Sequence, residues 1–259
     1  MGVPGGTMPA YRLITLGPSH YCEKARWALT RCRVPFEEEA HVPLLHAFHS
    51  KRSGGRRTVP VLVTDSGTFA DSTDILELCD RQVSGALYGS GEQRRESRDL
   101  EEYFDEKLGP HSRRLAYFHV LGDKALMLEA FGARGGEAAA LRIGFSAIRA
   151  LMRRSMNVNA EGAARSRERS LAIFREVGAR LADGRRFLTG DRFTAADLTF
   201  AALGAPLVVP PEYGWPLPPL ESLSSAMQSE ARHFRDTVAG QLVLRLYREE
   251  RRRVPAIGE

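Results

Sequence analysis

The stretch YRLITLGPSHYCEKARWAL at residues 11–29 decides how this chain of 259 residues folds. Its first six residues form a short, largely apolar run rich in β-forming types, which predicts a buried strand. Pro18 closes the strand, and from Ser19 onward apolar residues recur at helical spacing as far as Cys32. The stretch therefore predicts a strand, a sharp turn and a helix that begins at the turn.

The next residues predict three more strands and a second helix. The sequence VPFEEE at 34–39 is typical of a strand, whereas residues 40–57 are poorly patterned. Residues 59–63 and 68–70 are short β-forming runs on either side of an Asp-Ser-Gly turn, which indicates a hairpin, and residues 72–81 have helical spacing. The order β-α-β-(α)-β-β-α, with two parallel strands joined through a helix, is the thioredoxin-like arrangement.

The length of the chain favours two domains, since single domains usually have roughly 100 to 150 residues. We assign residues 9–84 to the thioredoxin-like domain and the Gly-rich residues 85–92 to a linker. In residues 93–255 apolar side chains recur at helical spacing and no strand is convincing, which predicts an all-α domain. The predicted fold class is α+β, a thioredoxin-like domain followed by a helical bundle.

Composition excludes several classes of function. The 37 basic and 32 acidic residues are interspersed, which is typical of solvated helix faces, so we expect no nucleic-acid partner. No apolar run approaches the length of a membrane span, and residues 1–10 lack the features of a signal peptide, so a cytoplasmic protein without a membrane contact is expected. Three cysteines fit a reducing compartment, and no spacing of Cys and His predicts a metal site.

Two residues at the start of the first helix could carry chemistry. Ser19 follows Pro18 and occupies an N-cap position, where its hydroxyl can accept from a free backbone N–H. A helix N-terminus also stabilises an anion, so the same hydroxyl could face a thiolate. Cys22 lies in the first turn and is either a reactive thiol or a small core residue.

Two further pairs could bind a ligand. The Val59–Pro60 bond precedes a strand, and although the trans form is the rule for such bonds, a cis form would leave the backbone of Val59 free to pair with an extended ligand. Asp71 and Ser72 precede an apolar helix, where either can cap it. The same helix N-terminus could instead receive a carboxylate, with Asp71 meeting an ammonium group.

Four motifs, in this order, resemble those of the glutathione transferase superfamily, in a Ser-type form like that of bacterial members. Residues 19–26 match the Ser-Pro-Phe-Cys-x-Lys-Val-Arg type of motif, and residues 58–62 resemble the Val-Pro-x-Leu segment. Residues 71–76 are similar to the Glu/Asp-Ser-x-x-Ile-Leu motif. The sequence FTAADLTFAAL at 193–203 resembles the capping box of the helical domain, with Asp197 in place of the usual Glu.

The resemblance implies a detoxification enzyme that binds glutathione as co-substrate at the seam of its domains and forms a homodimer. In it Ser19 would hydrogen-bond the glutathione thiolate, and Val59, held by a cis Pro60, would pair with the cysteinyl backbone. Asp71 and Ser72 would hold the γ-glutamyl group. The glycyl carboxylate would need a donor from among His46, His49, Lys51 and Arg57.

The sequence departs from the family pattern at two positions. His20 stands where Pro commonly follows the catalytic residue, and Thr58 stands where Lys is frequent. Six aromatic residues could line an electrophile pocket, but we interpret them as core: Tyr103, Tyr117, Phe118, Phe131, Tyr213 and Trp215.

Three functions remain in competition. The first is conjugation of glutathione to a hydrophobic electrophile through Ser19. The second is glutathione-dependent thiol–disulfide reduction through Cys22, although this thiol falls at the resolving position of the related redox motif. The third is a non-catalytic member of the superfamily that binds a ligand or a partner.

Overall fold

The computed structural model describes residues 11–83 and 85–254, so the predicted domain bounds at residues 9, 84 and 255 lie outside the described residues. The first half has the predicted order of elements, including a helix in the poorly patterned residues 40–57. Its elements are β1 (Tyr11–Thr15), α1 (His20–Arg31), β2 (Phe36–Ala40), α2 (Leu45–Arg52), β3 (Val61–Thr64), β4 (Gly67–Phe69) and α3 (Ser72–Gln82).

These strands form one four-stranded sheet in the order β2-β1-β3-β4. β1 and β2 are parallel, with Leu13 opposite Glu38, whereas β3 is antiparallel to both β1 and β4. The short helix connection makes the β1–β2 pair parallel, and the tight turn at 65–66 makes the β3–β4 pair a hairpin. The predicted thioredoxin-like domain is confirmed.

The second half is helical, as predicted. Within residues 93–254 the extended backbone forms one isolated bridge, between Phe187 and Gly190. α4 begins at Gly91, so the last two residues of the predicted linker belong to this helix. The helices are α4 (Gly91–Tyr103), α5 (Gly109–Val120), α6 (Lys124–Phe131), α7 (Gly135–Ser155), α8 (Ala160–Arg180), α9 (Ala195–Val208), α10 (Ser225–Arg235) and α11 (Val238–Glu250).

A single turn of π-helix, Phe104–Leu108, joins α4 to α5. α4, this turn and α5 thus follow one another without a break, and the turn lies where they pass the first helix of the thioredoxin-like half. A π turn changes the direction in which the following side chains project. It therefore sets which face of α5 points at α1.

The two halves share one core. α1 is buried along almost its whole length, and its Trp27 packs against Phe193 and Tyr247 of the helical half at 5.8 and 4.9 Å between ring centroids. α9 is buried on every side, which explains why it is apolar all round. Because α1 and α9 pack into this common core, the start of α1 is held against the helical half.

The predicted capping box of α9 is confirmed. Thr194 N–H donates to Asp197 Oδ2 at 2.9 Å, and Leu188 N–H donates to Asp197 Oδ1 at 2.8 Å. Burial of the carboxyl raises the pKa of Asp197 to about 6, although these hydrogen bonds oppose the rise. The box thus pins α9 to the loop before it.

α6 and α7 form a smaller apolar layer beside the main core. Met127, Phe131, Leu141 and Phe145 pack there with Val42, which follows β2. This layer brings the two helices against the thioredoxin-like half, so they can wall a space between the halves. Across the described residues, no helix has both the length and the apolar character needed to traverse a bilayer.

Candidate functional site

A cavity of about 380 Å³ lies at the seam of the two halves. The thioredoxin-like half contributes the turn before α1, the first turn of α1, residues 43–46 and residues 57–59. The helical half contributes α5, α6, α7 and the segment from the end of α9 to the start of α10. This volume suits a small organic ligand.

Ser19 lies in the wall of this cavity and also caps α1. Its N–H donates to Leu16 O at 2.9 Å, closing the turn, and its Oγ accepts from Cys22 N at 3.4 Å. Both interpretations of Ser19 are therefore compatible with one position, since Oγ accepts the capping bond and its hydrogen is available to another acceptor.

The turn before Ser19 requires a glycine at position 17. A Cβ there would lie 2.2 Å from the Trp215 ring, closer than any side chain allows. Trp215 is in turn tied by its indole N–H to Ala130 O at 2.8 Å. The close approach thus packs the Pro-rich segment at 210–219 over the turn that carries Ser19.

His20 replaces the proline of the family motif and makes a specific contact. Its ring is buried, and Nε2–H donates to Gly109 O at 2.9 Å, at the start of α5. Burial, followed by the positive charge of Arg113, lowers the pKa of His20 to about 3. A neutral His20 therefore ties α1 to α5 and holds the turn that carries Ser19 against the helical half.

Tyr21 also lines the cavity, and sequence reasoning missed it. Its hydroxyl donates to Asp105 O at 2.8 Å, and its ring packs on His20 at 4.5 Å between centroids. Burial, then the charge of Asp105, raises the pKa of Tyr21, so the phenol is protonated. Gly109 permits this approach, since a Cβ there would lie 2.1 Å from the Tyr21 hydroxyl.

Cys22 is fully buried and is not part of the cavity wall. Burial raises the pKa of the Cys22 thiol, and the neighbouring Arg26 opposes this only in part. The thiol is therefore protonated and shielded. Cys32 and Cys79 are buried too, as expected of core residues.

The two predicted ligand-binding pairs occupy different places. Val59 lies in the cavity wall, and the Val59–Pro60 bond is cis, as the family resemblance implies. Asp71 caps α3 by accepting from Thr73 N at 2.9 Å. Asp71 and Ser72 lie outside the cavity lining, although the charge of Asp71 is close enough to raise the pKa of Tyr21 slightly.

The four residues predicted as possible donors to the glycyl carboxylate fall into two groups in the structure. His46 and Arg57 line the cavity, whereas Lys51 and His49 do not. Phe118, one of the six aromatic residues interpreted as core, is exposed, so that interpretation was wrong for it. Tyr117 and Tyr213 pack against the apolar core and also line the cavity. Helical spacing could not reveal this, because a cavity wall and a core have the same apolar periodicity.

His49 instead joins a group that sequence spacing did not reveal. Its ring stacks on His41 at 3.6 Å, and the potential ligand atoms of His41, His49 and Glu137 lie within 4.8 Å of one another. Such residue types can bind a divalent metal. Both oxygens of Glu137 are already engaged, with His41 Nδ1 at 2.8 Å and Val42 N at 3.0 Å, so the group ties β2 to α7.

A buried ion network lies behind the cavity wall. Lys24 Nζ is 2.7 Å from Glu101 Oε1 and 2.5 Å from Asp105 Oδ2, and Thr73 Oγ1 donates to Glu101 at 2.8 Å. Burial alone lowers the pKa of Lys24, but the two carboxylates outweigh it and raise this pKa above its usual value. The charged ammonium thus links α1 to α3 and α4.

Two models of protein families match this chain. The N-terminal domain model of glutathione S-transferases matches residues 13–87, and the C-terminal domain model matches residues 160–225. Together they match more than half of the chain, in the order that the fold requires. The chain belongs to the glutathione transferase superfamily.

Solved glutathione transferases have the same fold. Glutathione transferase GSTFuA3 from Phanerochaete chrysosporium is 16% identical, with a TM-score of 0.64 over 96% of this chain and 100% of that one. A glutathione S-transferase from Rhodospirillum rubrum F11 is 20% identical, with a TM-score of 0.54 over 92% of this chain and 98% of that one. Glutathione transferase F2 from Populus trichocarpa is 14% identical, with a TM-score of 0.55 over 92% and 99%. No curated protein sequence matches the chain.

The part of this glutathione transferase fold that forms the far wall of the cavity lies between the matched segments. α5, α6 and α7 fall between residues 87 and 160, where neither family model matches. The side of the cavity near Ser19 is therefore built from the shared part of the fold. The opposite side includes three helices that neither family model matches.

Proposed function

We propose that this chain is a glutathione transferase that conjugates the glutathione thiolate to a hydrophobic electrophile, with Ser19 stabilising the thiolate. The observation that carries the proposal is the position of Ser19, at the N-terminus of α1 and in the wall of a mainly apolar cavity. A hydroxyl donor and a helix N-terminus both favour an anion at this point.

The remaining glutathione contacts are assigned by the family motifs. Val59 pairs through its backbone with the cysteinyl part, and Pro60 holds that backbone. Asp71 and Ser72 hold the γ-glutamyl ammonium and carboxylate at the start of α3. His46 and Arg57, which line the cavity, are the donors available to the glycyl carboxylate.

In the reaction the thiol releases its proton to water and Ser19 O–H donates to the resulting thiolate. The thiolate sulfur attacks the electrophilic carbon, so that a carbon–sulfur bond forms as the bond to the leaving group breaks and the leaving group departs with its electron pair. Apolar side chains of α5, α6 and α7 hold the electrophile's body. The chain itself undergoes no change in oxidation state.

Substitution of Ser19 tests this proposal. In Ser19→Ala we expect kcat/KM for glutathione and 1-chloro-2,4-dinitrobenzene to fall by about 100- to 1,000-fold, the usual cost of removing one donor to a reacting anion. Calorimetric binding of glutathione should change only a few-fold. Cys22→Ala serves as the matched control and should retain turnover, because this buried thiol does not line the cavity.

Two other outcomes would overturn the proposal. Loss of turnover in Cys22→Ala alone, together with reduction of a glutathione mixed disulfide, would favour the reductase. The buried, protonated state of Cys22 argues against that result. Absence of glutathione binding in the wild type would favour a non-catalytic module.

The proposal includes a homodimer, as the family resemblance implies. Light scattering coupled to size-exclusion chromatography should give twice the mass of the chain at micromolar concentration. A monomer mass across the accessible concentrations would contradict this part of the proposal and leave the chemistry of Ser19 unaffected.

A further inference from the structure

Arg113 is a cation in the wall of an otherwise mainly apolar cavity. Helical spacing places Arg113, Ala116, Tyr117 and Val120 on one face of α5, and all four line the cavity. This face belongs to the part of the chain that the family models do not match. Arg113 thus distinguishes the electrophile side of the cavity from a purely apolar one.

The Arg113 guanidinium has no partner among the described residues. Its Nε is buried and makes no hydrogen bond within residues 11–83 and 85–254. The adjacent Arg114 differs, since its Nε donates to Met156 O at 2.7 Å and its Nη1 to Ser166 Oγ at 2.9 Å. Arg114 ties helices together, whereas Arg113 is left with its donors available to the cavity.

Arg113 lies close to the reacting end of the cavity. Its charge adds to burial in lowering the pKa of His20, the residue after Ser19. The same charge opposes the rise that burial causes in the pKa of Tyr117. His20 is bonded to Gly109, one helical turn before Arg113. A group held by Arg113 would therefore lie near the first turn of α1.

Two carboxylates near that turn, those of Asp105 and Glu23, are engaged with other cations. Asp105 binds Lys24 at 2.5 Å, and Glu23 binds Arg251 at 2.6 Å. A half-buried cation without an anion is unfavourable, because its desolvation is not repaid by a partner. A guanidinium binds a carboxylate through two parallel hydrogen bonds, which repays that cost.

We propose that the electrophile carries an anionic group, a carboxylate on an apolar or aromatic body, and that Arg113 binds this group. The body packs against Ala116, Tyr117 and Val120 while its reactive carbon faces Ser19. This inference rests on the proposed function, since it concerns the electrophile of the same cavity.

A matched pair of electrophiles tests the inference. In 4-chloro-3,5-dinitrobenzoate and its uncharged amide, 4-chloro-3,5-dinitrobenzamide, the glutathione sulfur forms a bond to the ring carbon and chloride leaves with the electron pair. Each rate is divided by the uncatalysed rate with glutathione, which removes the difference in intrinsic reactivity. The wild type should prefer the carboxylate.

Substitutions test whether Arg113 causes the preference for the carboxylate. Arg113→Gln should lower the carboxylate-to-amide ratio of kcat/KM by about 10- to 100-fold, the range for a charge-assisted hydrogen bond. Arg113→Lys should recover part of it, because it keeps the charge and loses the planar pair of donors. Arg142→Gln, on the exposed side of α7, removes the same charge and should leave the ratio unchanged.

A binding measurement needs no turnover and separates this inference from the proposed function. The unreactive 3,5-dinitrobenzoate and 3,5-dinitrobenzamide are titrated calorimetrically in the presence of glutathione. Tighter carboxylate binding that disappears in Arg113→Gln supports the inference even if no conjugation occurs, in which case only the proposed function fails. Equal binding of both compounds, or a preference lost in Arg57→Gln and kept in Arg113→Gln, overturns it.

Discussion

Ser19 and His20 make different contacts at the turn before α1. Ser19 keeps a weak capping bond and presents its hydroxyl to the cavity, whereas His20 fixes the turn by a bond to α5. A proline directly after Ser19 would restrict the backbone locally. In this chain the hydrogen bond from His20 to Gly109 O restrains the turn instead. The sequence alone could not reveal this bond.

The neutral state of His20 predicts a pH dependence of stability. Its folded pKa of about 3 lies below the ordinary value of 6.5, so below pH 6.5 the unfolded chain takes up a proton that the folded chain does not. This contribution is complete above pH 6.5 and is lost as the pH falls towards 3. Its slope is at most about 1.4 kcal/mol per pH unit.

His20→Gln measures this contribution, since its amide can donate to Gly109 O without titrating. Urea unfolding between pH 4.5 and 7.5 should show the free energy of unfolding falling more steeply on acidification in the wild type than in the variant. Asp197 has a raised pKa and acts in the opposite direction, but it is common to both proteins. Identical pH profiles would contradict a buried, neutral His20.

At the scale of elements, α1 is positioned by charges as well as by apolar packing. The helical spacing of its apolar residues predicted the helix, yet the charged residues Glu23, Lys24 and Arg26 are buried as well. Each is satisfied by a partner from another element, such as Glu101 for Lys24 and Arg251 for Glu23. Local patterning assigns charged residues to solvent, so these pairs were not predictable.

Removal of Lys24 should therefore be costly. Lys24→Met leaves the carboxylates of Glu101 and Asp105 buried without their cation, and we expect a loss of about 3–5 kcal/mol in the free energy of unfolding. Urea denaturation measures it. Lys107→Met removes a cation from an exposed pair with Glu106 and is the matched control, with an expected change below about 1 kcal/mol.

A second substitution checks the cause of that loss. Adding Glu101→Gln and Asp105→Asn to Lys24→Met removes the unpaired charges and should recover much of the lost stability. If the triple variant is no more stable than Lys24→Met, packing of the lysine stem accounts for the loss and the electrostatic explanation is wrong.

At the scale of the whole molecule, the two halves are joined by a common core. Trp27 of α1 packs among helical-half residues and its indole N–H donates to Glu250 O at 3.3 Å. Trp215 lies over the turn before Ser19 and donates to Ala130 O at 2.8 Å. The two halves differ in secondary structure, but their buried residues form one hydrophobic core. We therefore expect the halves to unfold together.

The two tryptophans of the chain test this cooperativity. In Trp27→Phe the remaining Trp215 reports on the contact between the turn before Ser19 and the helical half, and in Trp215→Phe the remaining Trp27 reports on the shared core. In each variant the fluorescence and far-UV circular dichroism transitions in urea should have the same midpoint. A fluorescence transition that precedes the loss of helix would indicate that the halves unfold separately.

The sequence by itself determined the order of the elements in the thioredoxin-like half and the capping box of α9, because periodicity and turn chemistry act over a few neighbouring residues. The N-cap position of Ser19 was predictable for the same reason. The tertiary structure alone decided the His20–Gly109 bond, which joins residues 89 apart, and the placement of Arg113 and Tyr117 in the cavity. Such contacts depend on how helices pack, and no local pattern of residues records that packing.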